Sequence, residues 1–168
     1  MIAKAGFAAA LVVTVILAGC AAVAITRLEA GKSSEADVRA ALGTPARSYA
    51  DPDGSRQLVF PTGPEGTQTY MAFLAPDGRL ARLEQVLNEE HFRRIEVGTT
   101  DRAQLERLIG PPWRTIDFPN KRQVAWDYVF QDTWQYTVDF SVMLDERGIV
   151  QERVSVRRDR GRDSGVSK

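Results

Sequence analysis

Apolar residues in this chain fall into two spacings, three-and-four and strict alternation, and the order of these spacings recurs. Val38, Ala41 and Leu42 stand at i, i+3 and i+4, and so do Leu105, Leu108 and Ile109. That spacing gathers side chains on one helical face. Ser34 with Asp37, and Asp101 with Gln104, supply N-terminal caps. Gly43 and Gly110 end each helix where a left-handed residue is wanted, and Pro45 and Pro112 prevent its resumption. Helices this short must be held by docking.

Strand patterns come next. The first set spans 56–61, 68–75 and 79–86, with Pro76-Asp77-Gly78 as the turn between the last two; the second spans 123–130, 135–144 and 149–156, with its turn at 145–148. Tyr136, Val138, Phe140 and Val142 alternate with Thr137, Asp139 and Ser141, giving one buried and one solvated face. The glycines, the helix stops and the apolar positions recur at a constant spacing from Gly31 to Gly98, with apolar residues exchanged only for apolar ones. One small unit is therefore built twice. The expected fold is α+β: two tandem helix-plus-three-stranded antiparallel sheet units, 28–87 and 95–157, joined by a bridging helix over 88–94. Units this small contribute little stability alone, so the two should pack into one body. Residues 158–168 lack apolar periodicity and are expected to be disordered.

Composition narrows the function. Lys+Arg and Asp+Glu both number 22, so no positive excess exists for nucleic acid. One His and one Cys are too few for a zinc cluster, and no cofactor or metal is expected. His91 has no nucleophile or orienting carboxylate in its local sequence. Neither Gly-x-Ser-x-Gly nor Ser-x-x-Lys occurs, so the chain does not read as an enzyme, although a carboxylate pair assembled in space stays open.

Residues 1–19 read as a secretory signal, with Lys4 ahead of an apolar run over 5–16. Leu17-Ala18-Gly19-Cys20 resembles the lipobox of bacterial lipoproteins, which implies cleavage before Cys20 and acylation of that residue, with 20–27 as anchor and linker. Two or more acyl chains hold a protein on a membrane stably. Apolar residues continue to Ile25, however, and 5–25 is long enough to span a bilayer, so an uncleaved helix remains the alternative. Either way the remainder lies outside the cytoplasm. Ala21, where a retention Asp would stand, favours the periplasmic face of the outer membrane.

The second copy carries a further pattern: Ile95-x-x-Gly98-x-Thr100, Leu105-x-x-Leu108-Ile109-Gly110-x-Pro112 and Trp126-x-Tyr128-Val129-Phe130. It resembles the BamE (SmpA/OmlA) family of outer-membrane lipoproteins. The first copy keeps Gly31, Leu42, Gly43 and Pro45, with Leu58-Val59-Phe60 in place of the aromatic run. The tandem arrangement is also similar to β-lactamase inhibitor proteins. The first resemblance implies an accessory or scaffolding subunit whose partners are β-barrel assembly proteins; the second implies a periplasmic protein-binding or inhibitor lipoprotein. Family members usually have one unit, and this chain has two.

Trp126, Tyr128 and Phe130 share one strand face and are expected in the core. Trp113 and Trp134 fall in loops or at strand starts, where aromatics make better partner contacts. Arg153, Arg157, Arg158, Arg160 and Arg162 read as a solvated tail, or as a contact for anionic lipid or an acidic partner.

Overall fold

The computed structural model describes residues 25–62 and 64–158. The lipobox residues Leu17, Ala18, Gly19 and Cys20, and positions 159–168 of the expected tail, lie outside the described residues.

Each unit opens with the helix its caps foretell, α1 (Glu35–Leu42) in the first and, after the short bridging helix α2 (Glu89–Arg93), α3 (Arg102–Ile109) in the second. Both capping boxes close. The Asp37 carboxylate accepts the Ser34 amide at 2.8 Å, and the Gln104 side chain accepts the Asp101 amide at 2.9 Å. Orphan N–H groups at each helix start are thereby satisfied. Gly43 (φ 86) and Gly110 (φ 87) end the two helices in backbone that a side chain rarely adopts.

The first unit then forms β1 (Arg47–Ala50), β2 (Arg56–Thr62), β3 (Gln68–Leu74) and β4 (Leu80–Gln85), antiparallel in that order. The second forms β5 (Arg114–Phe118), β6 (Gln123–Gln131), β7 (Thr137–Asp145) and β8 (Val150–Arg157), likewise in order. Three strands per unit is thus corrected to four. The additional strand in each, β1 or β5, is a short edge strand with most of its side chains exposed. It carries no buried alternation, so only its pairing with β2 or β6 makes it a strand.

The halves match in detail. The Gly31 amide donates to the Leu80 carbonyl at 2.7 Å, and Gly98 does the same to Val150 at 2.7 Å. Both sheets shift register at the same place, between Phe73 and Leu74 and between Met143 and Leu144. A β-bulge there raises local twist and turns the last strand.

Four layers result. α1 buries Val38 against Leu58, Phe60, Ala72, Leu74 and Leu80 on one face of the first sheet. The opposite face presents Val59, Met71 and Val86, and the C-terminal half of α3 lies on it. The Gln57 side-chain amide donates to the Arg107 carbonyl at 2.7 Å, Arg107 reaches Asp51 at 2.6 Å, and Arg47 meets Glu106 at 2.8 Å. The other face of α3 sends Leu105 and Ile109 into the larger core with Phe92, Trp126, Tyr128, Phe130, Phe140 and Val142. One helix therefore serves two sheets. Each such fully buried large side chain contributes about 1.5–3 kcal/mol, which is how α3 ties the units into one body.

Candidate interaction surfaces

Equivalent faces of the two sheets meet different surroundings. In the first sheet Arg47, Val59 and Met71 stand side by side across β1, β2 and β3; in the second, the same register places Arg114, Asp127 and Ser141. Val59 and Met71 are fully buried. Asp127 instead accepts two bonds from Arg114, at 2.8 and 3.1 Å, and one from the Ser141 hydroxyl at 2.7 Å. Around that polar centre Phe118, Val154 and Val156 are exposed, Val156 by 57%. The turn at Pro64–Gly66 reaches over from the first unit, where Glu65 meets Arg158 at 2.7 Å, and Arg158 also binds Asp139. Arg158, assigned to the tail from sequence, is thus tied to both units.

The β6–β7 hairpin holds Trp134 out at its tip, 73% exposed. Asp132 fixes this loop: its Oδ1 accepts the amides of Trp134 at 2.9 Å and Tyr136 at 3.0 Å. An Arg157 guanidinium nitrogen lies 2.7 Å from Oδ2 but out of line for a hydrogen bond, so that contact is ionic. Burial raises the Asp132 carboxyl, but the two amides and Arg157 outweigh it and hold the group below its ordinary range. Gln135 adopts φ 62 to complete the turn.

Beside this hairpin an open cleft of about 460 Å³ has Phe92, Phe130 and Phe140 in its floor and Arg93, Arg153 and Arg157 around it, with Glu89 and Asp132 as the acids. Phe92 stacks on Phe140 at 4.0 Å between centroids. Arg153 donates to the Phe92 carbonyl, and Arg157 lies 5.1 Å over Tyr136. Arg93 has no ion-pair partner among the described residues. The sequence offered Arg153 and Arg157 only as parts of a solvated tail or of a contact for anionic lipid or an acidic partner, and Arg93 only as a residue of the bridging helix. Their convergence comes from β8 and α2 meeting at one edge, which no local pattern encodes.

Trp113, 44% exposed, stands at the junction of the units with Arg114 5.1 Å from its ring. A small crevice beneath it is lined by Pro61, Gly66, Thr69, Leu87, Pro112 and Tyr128. The motif residues serve the fold. Trp126 and Tyr128 are buried with Phe130, as one shared strand face implies, and the Tyr128 hydroxyl donates to the Gly110 carbonyl at 3.0 Å. Leu42 packs at the margin of the first core and Ile109 lies within the second. Gly31 and Gly98 act through their amides, while Pro45 and Pro112 lead each helix stop into its edge strand.

His91 is nearly buried. Its Nδ1 lies 3.0 Å from Asn88 Oδ1 and its Nε2 lies 3.5 Å from Glu84. Through Glu84 it links α2 to the first sheet. No group of three or more His, Cys, Asp or Glu suited to a metal occurs among the described residues. Comparison with protein-family models and with curated proteins finds no match for this chain.

Proposed function

We propose that this protein is a lipid-anchored outer-membrane lipoprotein of BamE-like build, acting as an accessory or scaffolding subunit in the assembly of outer-membrane β-barrel proteins. Two features support the reading. Leu17-Ala18-Gly19-Cys20 lies in the apolar N-terminal run, and the folded body consists of two like units, the second of which holds Trp113 and Trp134 out to solvent. The observation that carries it is Trp134, exposed at the end of a hairpin that Asp132 braces through two backbone amides. A large aromatic on a fixed loop loses little entropy on binding and suits a protein partner. Acyl chains at Cys20 would confine the molecule to the membrane surface and raise its effective concentration near membrane-bound partners.

Mass spectrometry of the mature N-terminus, with Cys20→Ala as control, tests the anchor: a trimmed N-terminus with a diacylglyceryl thiol and an acylated amino group is expected, and an intact unacylated one rules it out. Affinity capture of the native protein should recover barrel-assembly components, in amounts reduced by Trp134→Ala. Repeated capture without them counts against the assembly role.

The open face of the second sheet, with Phe118, Val154 and Val156 exposed, favours a second reading, a periplasmic protein-binding or inhibitor lipoprotein. Tight inhibition of a periplasmic hydrolase, abolished by charged substitutions at Val154 and Val156, would select it over the first.

A further inference from the structure

The edge of the second sheet offers a longer run of outward backbone than that of the first. β8 is a strand of eight residues at the sheet margin, and every side chain from Glu152 onward is exposed. Its first residue is paired on the outer side, where Val150 donates to Thr100 and accepts from Gly98. Beyond that point no main-chain bond from another element reaches the outer side of β8 among the described residues. Arg158 donates its amide inward, to Thr137 on β7 at 2.9 Å. Main-chain groups alternate in direction along a strand, so Arg153, Ser155 and Arg157 turn their N–H and C=O outward. In the first unit the matching strand β4 is shorter and turns only Leu83 and Gln85 outward, with the Gln85 carbonyl taken by the Asn88 side chain at 2.6 Å.

The same three residues that offer free backbone also put their side chains beside the cleft. Arg153, Ser155 and Arg157 line it over the phenylalanine floor, while Val154 and Val156 lie on the opposite face. Charged side chains on an edge strand normally block pairing by fanning across it. Here Arg153 is drawn to the Phe92 carbonyl and Arg157 to Asp132, so neither lies across the edge. Three arginines face two acids in this cleft, and Arg93 has no ion-pair partner among the described residues.

We infer that the free edge of β8 takes up an extended peptide segment of a protein partner as a fifth strand, whose alternate side chains are acidic and aromatic. Side chains two residues apart on the added strand share a face. An aromatic one settles on the phenylalanine floor and an acidic one meets Arg93 and Arg153, while the intervening aliphatic residues cover Val154 and Val156. Backbone bonds give affinity and the cleft gives selectivity. A second copy of the chain fits less well, because antiparallel pairing centred on Ser155 sets Arg153 directly against Arg157. The inference rests on the protein-binding reading above and names the surface and the peptide chemistry.

The test uses the soluble part of the mature chain with its tail and a short synthetic peptide, blocked at both ends, with glutamate and phenylalanine on one face and valine on the other. Amide exchange followed by NMR should slow at Arg153, Ser155 and Arg157 on titration. The lysine-for-glutamate peptide should bind at least about 10-fold more weakly, as should the original peptide N-methylated on its pairing side. Ser155→Pro removes an outward donor without breaking a bond to β7 and should abolish binding while leaving the melting temperature within a few degrees. Arg93→Glu should weaken it about 10-fold. Equal binding of the N-methylated peptide, or protection confined to other strands, overturns the inference whether or not the proline variant folds. Protection of these three amides without peptide, either concentration-dependent or in the monomer, also overturns it, showing the edge occupied by a second copy or by the chain itself. If Ser155→Pro still captures the partners of the native protein, the protein-binding reading stands and the strand-addition inference falls.

Discussion

The first sheet has a helix on each face, and the second, with the same strand order and the same bulge, has helices on one face only. The divergence of the two copies follows that difference. Where α3 covers the first sheet, the central positions are Val59 and Met71; where only the Pro64–Gly66 turn reaches across the second, they are Asp127 and Ser141, joined to Arg114. A carboxylate that would be ruinous unpaired under a helix is satisfied here, though buried, by a half-exposed guanidinium and a hydroxyl. Duplication supplied two equal faces, and stacking made them unequal: α3 can lie between the sheets only once. The last sheet of such a stack keeps an open face and a free edge, the features by which an incomplete array meets a partner.

Exchanging the central residues should break this contrast most strongly. Val59→Asp places an unpaired carboxylate beneath α3 and should destabilise by about 4 kcal/mol or more, measured by urea unfolding. The reciprocal Asp127→Val loses only exposed or half-exposed partners and should cost under about 1.5 kcal/mol. Near-equal costs would show that the covered and open faces are not energetically distinct.

The helix stops sharpen the point. Gly43 and Gly110 share nearly the same φ, but an added Cβ meets nothing within 4 Å at Gly43, whereas at Gly110 it meets Thr69 Cγ2 at 3.0 Å and Val59 Cγ1 at 3.2 Å. Gly43→Ala should therefore cost the conformational strain, about 1–2 kcal/mol, and Gly110→Ala roughly 3, with strain and crowding together. Both are readable from thermal or denaturant midpoints.

Caps give a smaller difference. Ser34→Ala and Asp101→Ala should each remove about 1 kcal/mol. The second should also loosen the first sheet, because α3 braces both units; amide exchange in β2 and β3 reports this.

The smallest expected effect is at the hairpin. Asp132 ionises more readily in the folded chain than at its ordinary 3.8, so the unfolded chain binds more protons around that value. Its stabilising contribution is complete above the unfolded pKa and disappears as pH falls through the folded one. The stability gap between wild type and Asp132→Asn should hold at neutral pH and shrink below about pH 4. A gap constant down to pH 2 would mean that the carboxylate does not brace Trp134.

Much of the fold was legible in the residues. Ser34/Asp37 and Asp101/Gln104 marked both helix starts, Gly43 and Gly110 both ends, and alternation located six of the eight strands within a residue or two. β1 and β5 were missed because exposed edge strands carry no apolar alternation; neighbouring strands define them. Trp126, Tyr128 and Phe130 were rightly placed in the core from their shared face. The arginine cleft was not seen, since Arg93 belongs to a helix and Arg153 and Arg157 to a strand far along the chain.

The sequence by itself determined the repeat, the local elements and their ends, because caps, turns and periodicity act over a few residues and need no distant partner. Only the tertiary structure decided that α3 is shared, that Gln57 finds its acceptor at Arg107, and that Asp127 meets Arg114 and Ser141 while Val59 meets the end of α3. Those outcomes depend on which layer lies against which. Two copies of one pattern carry the same local instructions, and their positions in the stack alone set them apart.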